Sequence, residues 1–206
     1  MMKKFWAWFL GGMFLTLSIA QMSATERAEV DHPAPDFTLP DNSGNKHSLS
    51  DFKGKFVVLE WVNYDCPFVR KHYRSGNMPS LQKMYTKKDV VWLSICSSAP
   101  GKQGYFETDE LSERMKKEKA IPTAYLLDPD GKVGKTYGAK TTPHMYIVNP
   151  EGLLIYAGGI DNIASTDIDD IEEATNYVKE VLDAAMTGKE VPVKGSRPYG
   201  CSVKYK

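Results

Sequence analysis

Neither sign of charge is in excess in this chain: 26 Lys and Arg stand against 26 Asp and Glu in 206 residues, with no block of like charge. Without a basic stripe the chain lacks the footprint of a nucleic-acid binder, and that class is set aside. It has no internal repeat and no low-complexity tract, so disorder is expected only at the ends. Cysteine is scarce, at three residues, Cys66, Cys96 and Cys201. The remainder, 42% hydrophobic and 11% aromatic, is that of an ordinary folded protein, long enough for one domain with extensions.

The first twenty residues are set apart. Lys3 and Lys4 precede an uncharged apolar stretch from Phe5 to Ile19, and Ser18-Ile19-Ala20 supplies small residues for a signal peptidase. Residues 1–20 therefore read as a signal peptide cleaved after Ala20, with an uncleaved anchor over residues 5–20 as the alternative. Either way the domain is expected outside the cytosol, periplasmic or secreted, and touches a membrane only if the segment is retained. Export makes the cysteines informative, because in an oxidising compartment an odd count leaves a thiol over.

Residues 21–31 read as a flexible lead-in, 32–188 as the domain and 189–206 as a C-terminal tail carrying Cys201. Asp41 to Asn45 forms a turn, and Phe56 to Val62 and Val90 to Cys96 have the length and β-branched content of buried strands. Met78, Leu81, Met84 and Tyr85 recur at helical spacing, and Asp109 to Lys119 forms a charged helix. Ala124 to Leu127 is a short strand, and Met145 to Val148 forms a hairpin with Leu153 to Tyr156. A last helix is predicted from a Ser165 or Thr166 cap, with Ile168, Ile171, Val178, Val181 and Leu182 on one face and Gly188 closing it. Strands alternating with helices indicate an α/β layer fold.

Pro67 is best placed at the first position of a helix, which makes Cys66 its N-cap. Helix N–H groups and the macrodipole favour a thiolate there over a thiol. Arg70, one turn on, is expected to add electrostatic support, whereas Lys71 and His72 point elsewhere. Cys96, at the end of an apolar strand, is expected to be structural or a spare thiol.

The opening Ala34-Pro35-Asp36-Phe37-Thr38-Leu39, the stretch Asn63-Tyr64-Asp65-Cys66-Pro67-Phe68-Val69, Thr141-Thr142-Pro143-His144-Met145 and the tail Arg197 to Tyr205 together resemble the peroxiredoxin-like, thioredoxin-family redoxins of bacteria, the group that includes AhpC/TSA-like proteins. The resemblance spans about residues 30 to 206. It implies a thioredoxin fold, a three-layer sandwich with a mixed central sheet, and a C-terminal tail. It also implies that Thr142-Pro143 is a cis-proline step beside Cys66. Thr142 would then offer backbone groups to an extended substrate, with Pro67 and Pro143 completing the substrate-binding set.

Two departures from that pattern bear on chemistry. A thioredoxin carries a second Cys three residues after the first, where this chain has Val69, so any partner thiol must come from elsewhere. A peroxiredoxin carries Thr or Ser three residues, and Pro seven residues, before its reactive Cys, where this chain has Asn63 and Leu59. Efficient peroxidase activity is not expected. The reading is a thiol-disulfide oxidoreductase or redox-linked protein with Cys66 as nucleophile and Cys201 as its partner, acting on protein thiols or disulfides with an unspecified electron donor and no cofactor or metal. Two alternatives stay open: a binding protein in which Cys66 and Cys201 form a permanent disulfide, and a copper-handling protein using Cys66, His144 and Met145.

Overall fold

The computed structural model describes residues 27–206, so the signal-peptide reading falls outside the described residues. Among those residues no helix is long and apolar enough to cross a membrane. The first strands among the described residues form a hairpin, β1 (Thr38–Pro40) and β2 (Lys46–Ser48), around a turn in which the Asp41 carboxylate accepts from the Ser43 and Asn45 backbone N–H groups. The core sheet is built from β3 (Val57–Trp61), β4 (Val91–Cys96), β5 (Ala124–Leu127), β7 (His144–Val148) and β8 (Leu154–Gly158), in the order β5-β4-β3-β7-β8. β3 runs parallel to β4, and β4 to β5; β7 is antiparallel to both β3 and β8, so the sheet is mixed.

The two-residue period of β3 separates two apolar layers. Val57, Leu59 and Trp61 pack with Phe37, Leu93, Ile95 and Tyr146 on one face. Val58 and Val62 pack on the other with Tyr73, Met78, Tyr85, Val181 and Leu182, supplied by α1 (Pro67–Arg74), α2 (Asn77–Thr86) and α6 (Tyr177–Ala185). α3 (Thr108–Lys117) adds Leu111 to this second layer, and α4 (Lys132–Tyr137) adds Tyr137 to the first. The molecule is thus an α/β three-layer sandwich.

Three features differ from the sequence expectation. The last helix is two: a single turn α5 (Asp170–Glu173), then α6, which starts afresh because Asn176 caps it through the Lys179 N–H. Ser165 caps neither; its hydroxyl lies between the Asp170 carboxylate and Lys71 Nζ. α4, unannounced by any apolar period, is fixed by Asp128, whose carboxylate accepts from the Val133 and Gly134 N–H groups, and is bounded by Gly131 and Gly138 at φ 70° and 64°. The described end of the lead-in is held, not loose: Ala28 N–H donates to Thr136 O, Asp31 N–H to Leu154 O, and Asp31 pairs with Lys194 of the tail.

The tail crosses the carboxyl end of the sheet as a strap. Ser196 Oγ accepts from Gly159 N–H and meets Tyr156 OH at one end. At the other, Lys204 O accepts from Ala99 N–H, and Tyr205 OH donates to Ala139 O. Between them β9 (Cys201–Ser202) pairs antiparallel with β6 (Thr141–Thr142), with Cys201 opposite Thr142.

Candidate active site

Register in the core sheet assembles the site. Trp61, the last residue of β3, pairs with His144, the first of β7, so the loops beyond these ends meet. One loop carries Cys66 into α1. Its φ of −72° and ψ of 125° are those of an extended cap residue, and Pro67 occupies the first helical position. The other carries the Thr142-Pro143 bond, which is cis. Cys66 is wholly buried, and its thiol donates to Thr142 O at 3.1 Å rather than taking an N–H of its own helix.

The tail supplies the remaining neighbour. Cys201 N–H donates to Cys66 Sγ at 3.4 Å across a sequence separation of 135 residues. All three cysteines are thiols. Burial, reinforced by the hydrogen bond to Cys66 and by its charge, pushes the half-buried Cys201 up to about 11. Cys96 lies apart: its thiol donates to Gly104 O, and burial raises its pKa.

Arg70 does not reach this point. It lines a surface hollow with Pro67, Lys71, Arg74, Thr166 and Ile168, and among the described residues no hydrogen bond or ion pair joins it to Cys66. Lys71 turns inward to Ile163 O and Ser165 Oγ. His72 points toward the tail: its Nε2 is 3.0 Å from Tyr199 OH, and Tyr199 OH donates to Asp161 Oδ1 at 2.5 Å. Burial lowers His72 to about 3, so it is neutral at pH 7 and works as a hydrogen-bonding fixture. Tyr199 also meets Phe68 of α1 edge-on, with ring centroids 5.8 Å apart.

His144 and Met145 do not converge on Cys66 as a ligand set. His144 packs against Tyr146, with centroids 4.5 Å apart, and its Nδ1 lies 3.1 Å from Tyr146 OH, whereas Met145 falls in the opposite apolar layer. Among the described residues no group of three or more His, Cys, Asp and Glu is placed to hold a metal.

Asn63 and Leu59 are committed to structure. Asn63 Oδ1 accepts from Asp65 N–H, its Nδ2 donates to Gln103 O, and Leu59 is a core residue. The polar partners of the sulfur are the backbone Thr142 O and Cys201 N–H, so no side chain hydrogen-bonds it in position to stabilise a leaving hydroxide. Hydrogen peroxide consumption is expected to fall at least about a hundredfold below that of a dedicated peroxiredoxin, the loss typical of one missing transition-state donor. A coupled peroxidase assay that finds comparable turnover would refute this.

Sequence reasoning missed Glu60. It sits wholly buried in the middle of β3, six residues before Cys66, and accepts from Tyr73 OH, Gln82 Nε2, Trp92 Nε1 and Ser94 Oγ at 2.7, 3.1, 2.8 and 2.9 Å. A lone charge inside an apolar run was its signal. Burial raises its carboxyl above the ordinary value despite the four donors.

A capping cysteine facing a cis-proline step, on a mixed sheet covered by helices on both sides, marks a redoxin-type thioredoxin fold. The family level follows from sequence: the AhpC/TSA family profile matches residues 30–157, more than half of the chain, and the protein belongs to that family. The thiol-disulfide oxidoreductase ResA of Bacillus cereus is 28% identical over 145 residues, covering 70% of this chain and 78% of the relative. Among solved structures, an uncharacterized conserved protein from Geobacillus kaustophilus superposes with a TM-score of 0.72 at 26% identity, covering 86% of this chain and 93% of that one. A hypothetical protein from Sinorhizobium meliloti superposes at 0.70 and 24% identity, covering 88% and 97%, and speaks to the fold alone.

Proposed function

We propose that the protein is an exported thiol-disulfide oxidoreductase in which Cys66 is the nucleophile and Cys201 the resolving thiol. The observation that carries this reading is the tail pairing that sets Cys201 against Cys66, with its N–H 3.4 Å from the sulfur. It supplies the second thiol that Val69 withholds. The curated relative named a thiol-disulfide oxidoreductase supports the reaction class, and the basic and apolar N-terminal stretch supports export.

The reaction runs in two exchanges. Cys66 thiolate attacks one sulfur of a substrate disulfide; a Cys66 mixed disulfide forms and the other substrate sulfur leaves as a thiolate. Cys201, having lost its proton to solvent, then attacks Cys66 Sγ, so the substrate's remaining sulfur leaves and a Cys66–Cys201 disulfide forms. Two electrons have passed from the protein's dithiol to the substrate, and an external thiol donor must return them. Electrostatics favours this order. Once Cys66 is in a mixed disulfide its negative charge is gone, removing one of the causes that hold the Cys201 proton on.

Oxidised glutathione tests the scheme. The wild-type protein should release two glutathiones and end as the Cys66–Cys201 disulfide, whereas Cys201→Ser should stop at a stable Cys66–glutathione adduct with one released. Peptide mapping that finds glutathione on Cys96, or Cys201 still free after full oxidation of the wild type, would sink the assignment. Arg70→Ala should change the rate of the first exchange by less than about threefold, since this half-buried side chain makes no hydrogen bond or ion pair with the sulfur and a partly solvated charge contributes little.

A further inference from the structure

The groove beside Cys66 is already filled, and by the chain itself. β9 lies on β6 as an extended substrate would, with a cysteine opposite Thr142 and directly beside the buried sulfur. The flanking residues are seated too. Tyr199, two before Cys201, is held by Phe68, His72 and Asp161. Val203, two after, is buried in the core layer, and its N–H donates to Lys140 O. Gly200 lies at φ 124°, a conformation other residues rarely adopt, and a Cβ there would stand 2.1 Å from Thr142 O. The groove thus selects a glycine immediately before the cysteine on two independent grounds.

We propose that residues 199–203 are a built-in pseudosubstrate, and that the groove formed by Phe68, Thr141–Pro143 and Asp161 binds extended polypeptide segments of the pattern aromatic-Gly-Cys-any-aliphatic. This rests on the reading of Cys66 as an exchange centre and names the polypeptides it would act on. The tail's local concentration at the groove is far above that of any free segment. A polypeptide in trans therefore gains the groove only when the 199–203 stretch lifts off, while the pins at Ser196 and Tyr205 let it return.

The test is binding without redox chemistry, so that it fails or succeeds separately from the exchange reading. Gly200→Ala in the full chain should unseat β9 by the collision with Thr142 O. A fluorescein-labelled peptide of residues 196–206 carrying Cys201→Ser should then bind saturably by fluorescence anisotropy, while wild type at the same concentration shows no binding. The same peptide with Gly200→Ala should bind at least about tenfold more weakly, as expected when a close backbone contact is blocked. Amide exchange at Cys201–Val203 and labelling of Cys66 by a bulky maleimide should both rise about tenfold or more over wild type as the strand opens. Should Gly200→Ala fail to fold, Tyr199→Phe, which loses the bonds to His72 and Asp161, takes its place with the same readouts. The proposal is overturned if the freed groove takes up no peptide, if the alanine peptide binds as well as the glycine one, or if β9 stays protected and Cys66 unlabelled. Glutathione trapping at Cys66 with no peptide binding would leave the exchange centre standing and remove the pseudosubstrate.

Discussion

The oxidised protein is expected to melt about 10–15 °C above its reduced form. A Cys66–Cys201 bond would close a loop spanning a sequence separation of 135 residues, and chain entropy gives such a loop roughly 4–5 kcal/mol before any strain is subtracted. For a domain of this size each kcal/mol shifts the midpoint by about 2–4 °C. Calorimetry with and without reductant measures the difference. Cys201→Ser should abolish it while leaving the reduced midpoint within a few degrees of wild type, because the strap stays pinned through Ser196, Lys204 and Tyr205. A bond that yields to mild reduction marks an exchange centre, and one that resists strong reduction marks a staple. Equal melting of the two forms would show that the bond does not form or is strained enough to cancel its entropic effect.

Glu60→Ala is expected to lower the unfolding free energy by on the order of 4 kcal/mol, since it opens a cavity and strands four buried donors at once. Glu60→Gln keeps an acceptor for Gln82, Trp92 and Ser94 and turns an N–H toward Tyr73 OH, so its effect should be much smaller. The two variants also isolate a pH effect. A carboxyl raised on folding binds its proton more tightly in the native state, so Glu60 contributes most at low pH. That contribution is lost as pH climbs from the ordinary glutamate value of 4.5 through the raised native one. Relative to Glu60→Gln, wild type should therefore lose stability across that window in urea titrations. A flat difference, or one that grows in favour of wild type with pH, would show that the four donors outweigh burial.

What could be read in the sequence follows from how local each determinant is. β3 and β4 announce themselves as apolar β-branched runs, and the Cys66 cap is written in its Pro67 neighbour. The cis-proline step was legible only through family resemblance, because nothing in three letters distinguishes a cis from a trans bond. α4 has no apolar period to read, and it exists because Asp128 holds its first turn. The split between α5 and α6 hides behind a continuous apolar face, broken by Asn176 as a second cap. β9 is two residues long and finds its partner sixty positions back, so no pattern within the tail reveals it. His72 and Asp161 meet Tyr199 of the tail across distant segments, a contact no local pattern announces.

The order in which a polypeptide emerges, from a ribosome or through a translocation pore, gives the strap a further meaning. Cys66 and Cys96 are both out well before Cys201 exists outside the tunnel, and during that interval Cys66 has no tail over it. The wrong pairing, Cys66 with Cys96, is the one available to a nascent chain in an oxidising space. In the folded chain Cys96 is buried at the end of β4, with its thiol turned to Gly104 O and unpaired with Cys66. The cover over Cys66 is complete only once residues 196–205 are in place. A stop between Gly188 and Cys201 would thus leave Cys66 without the covering strand and without the Cys201 thiol beside it.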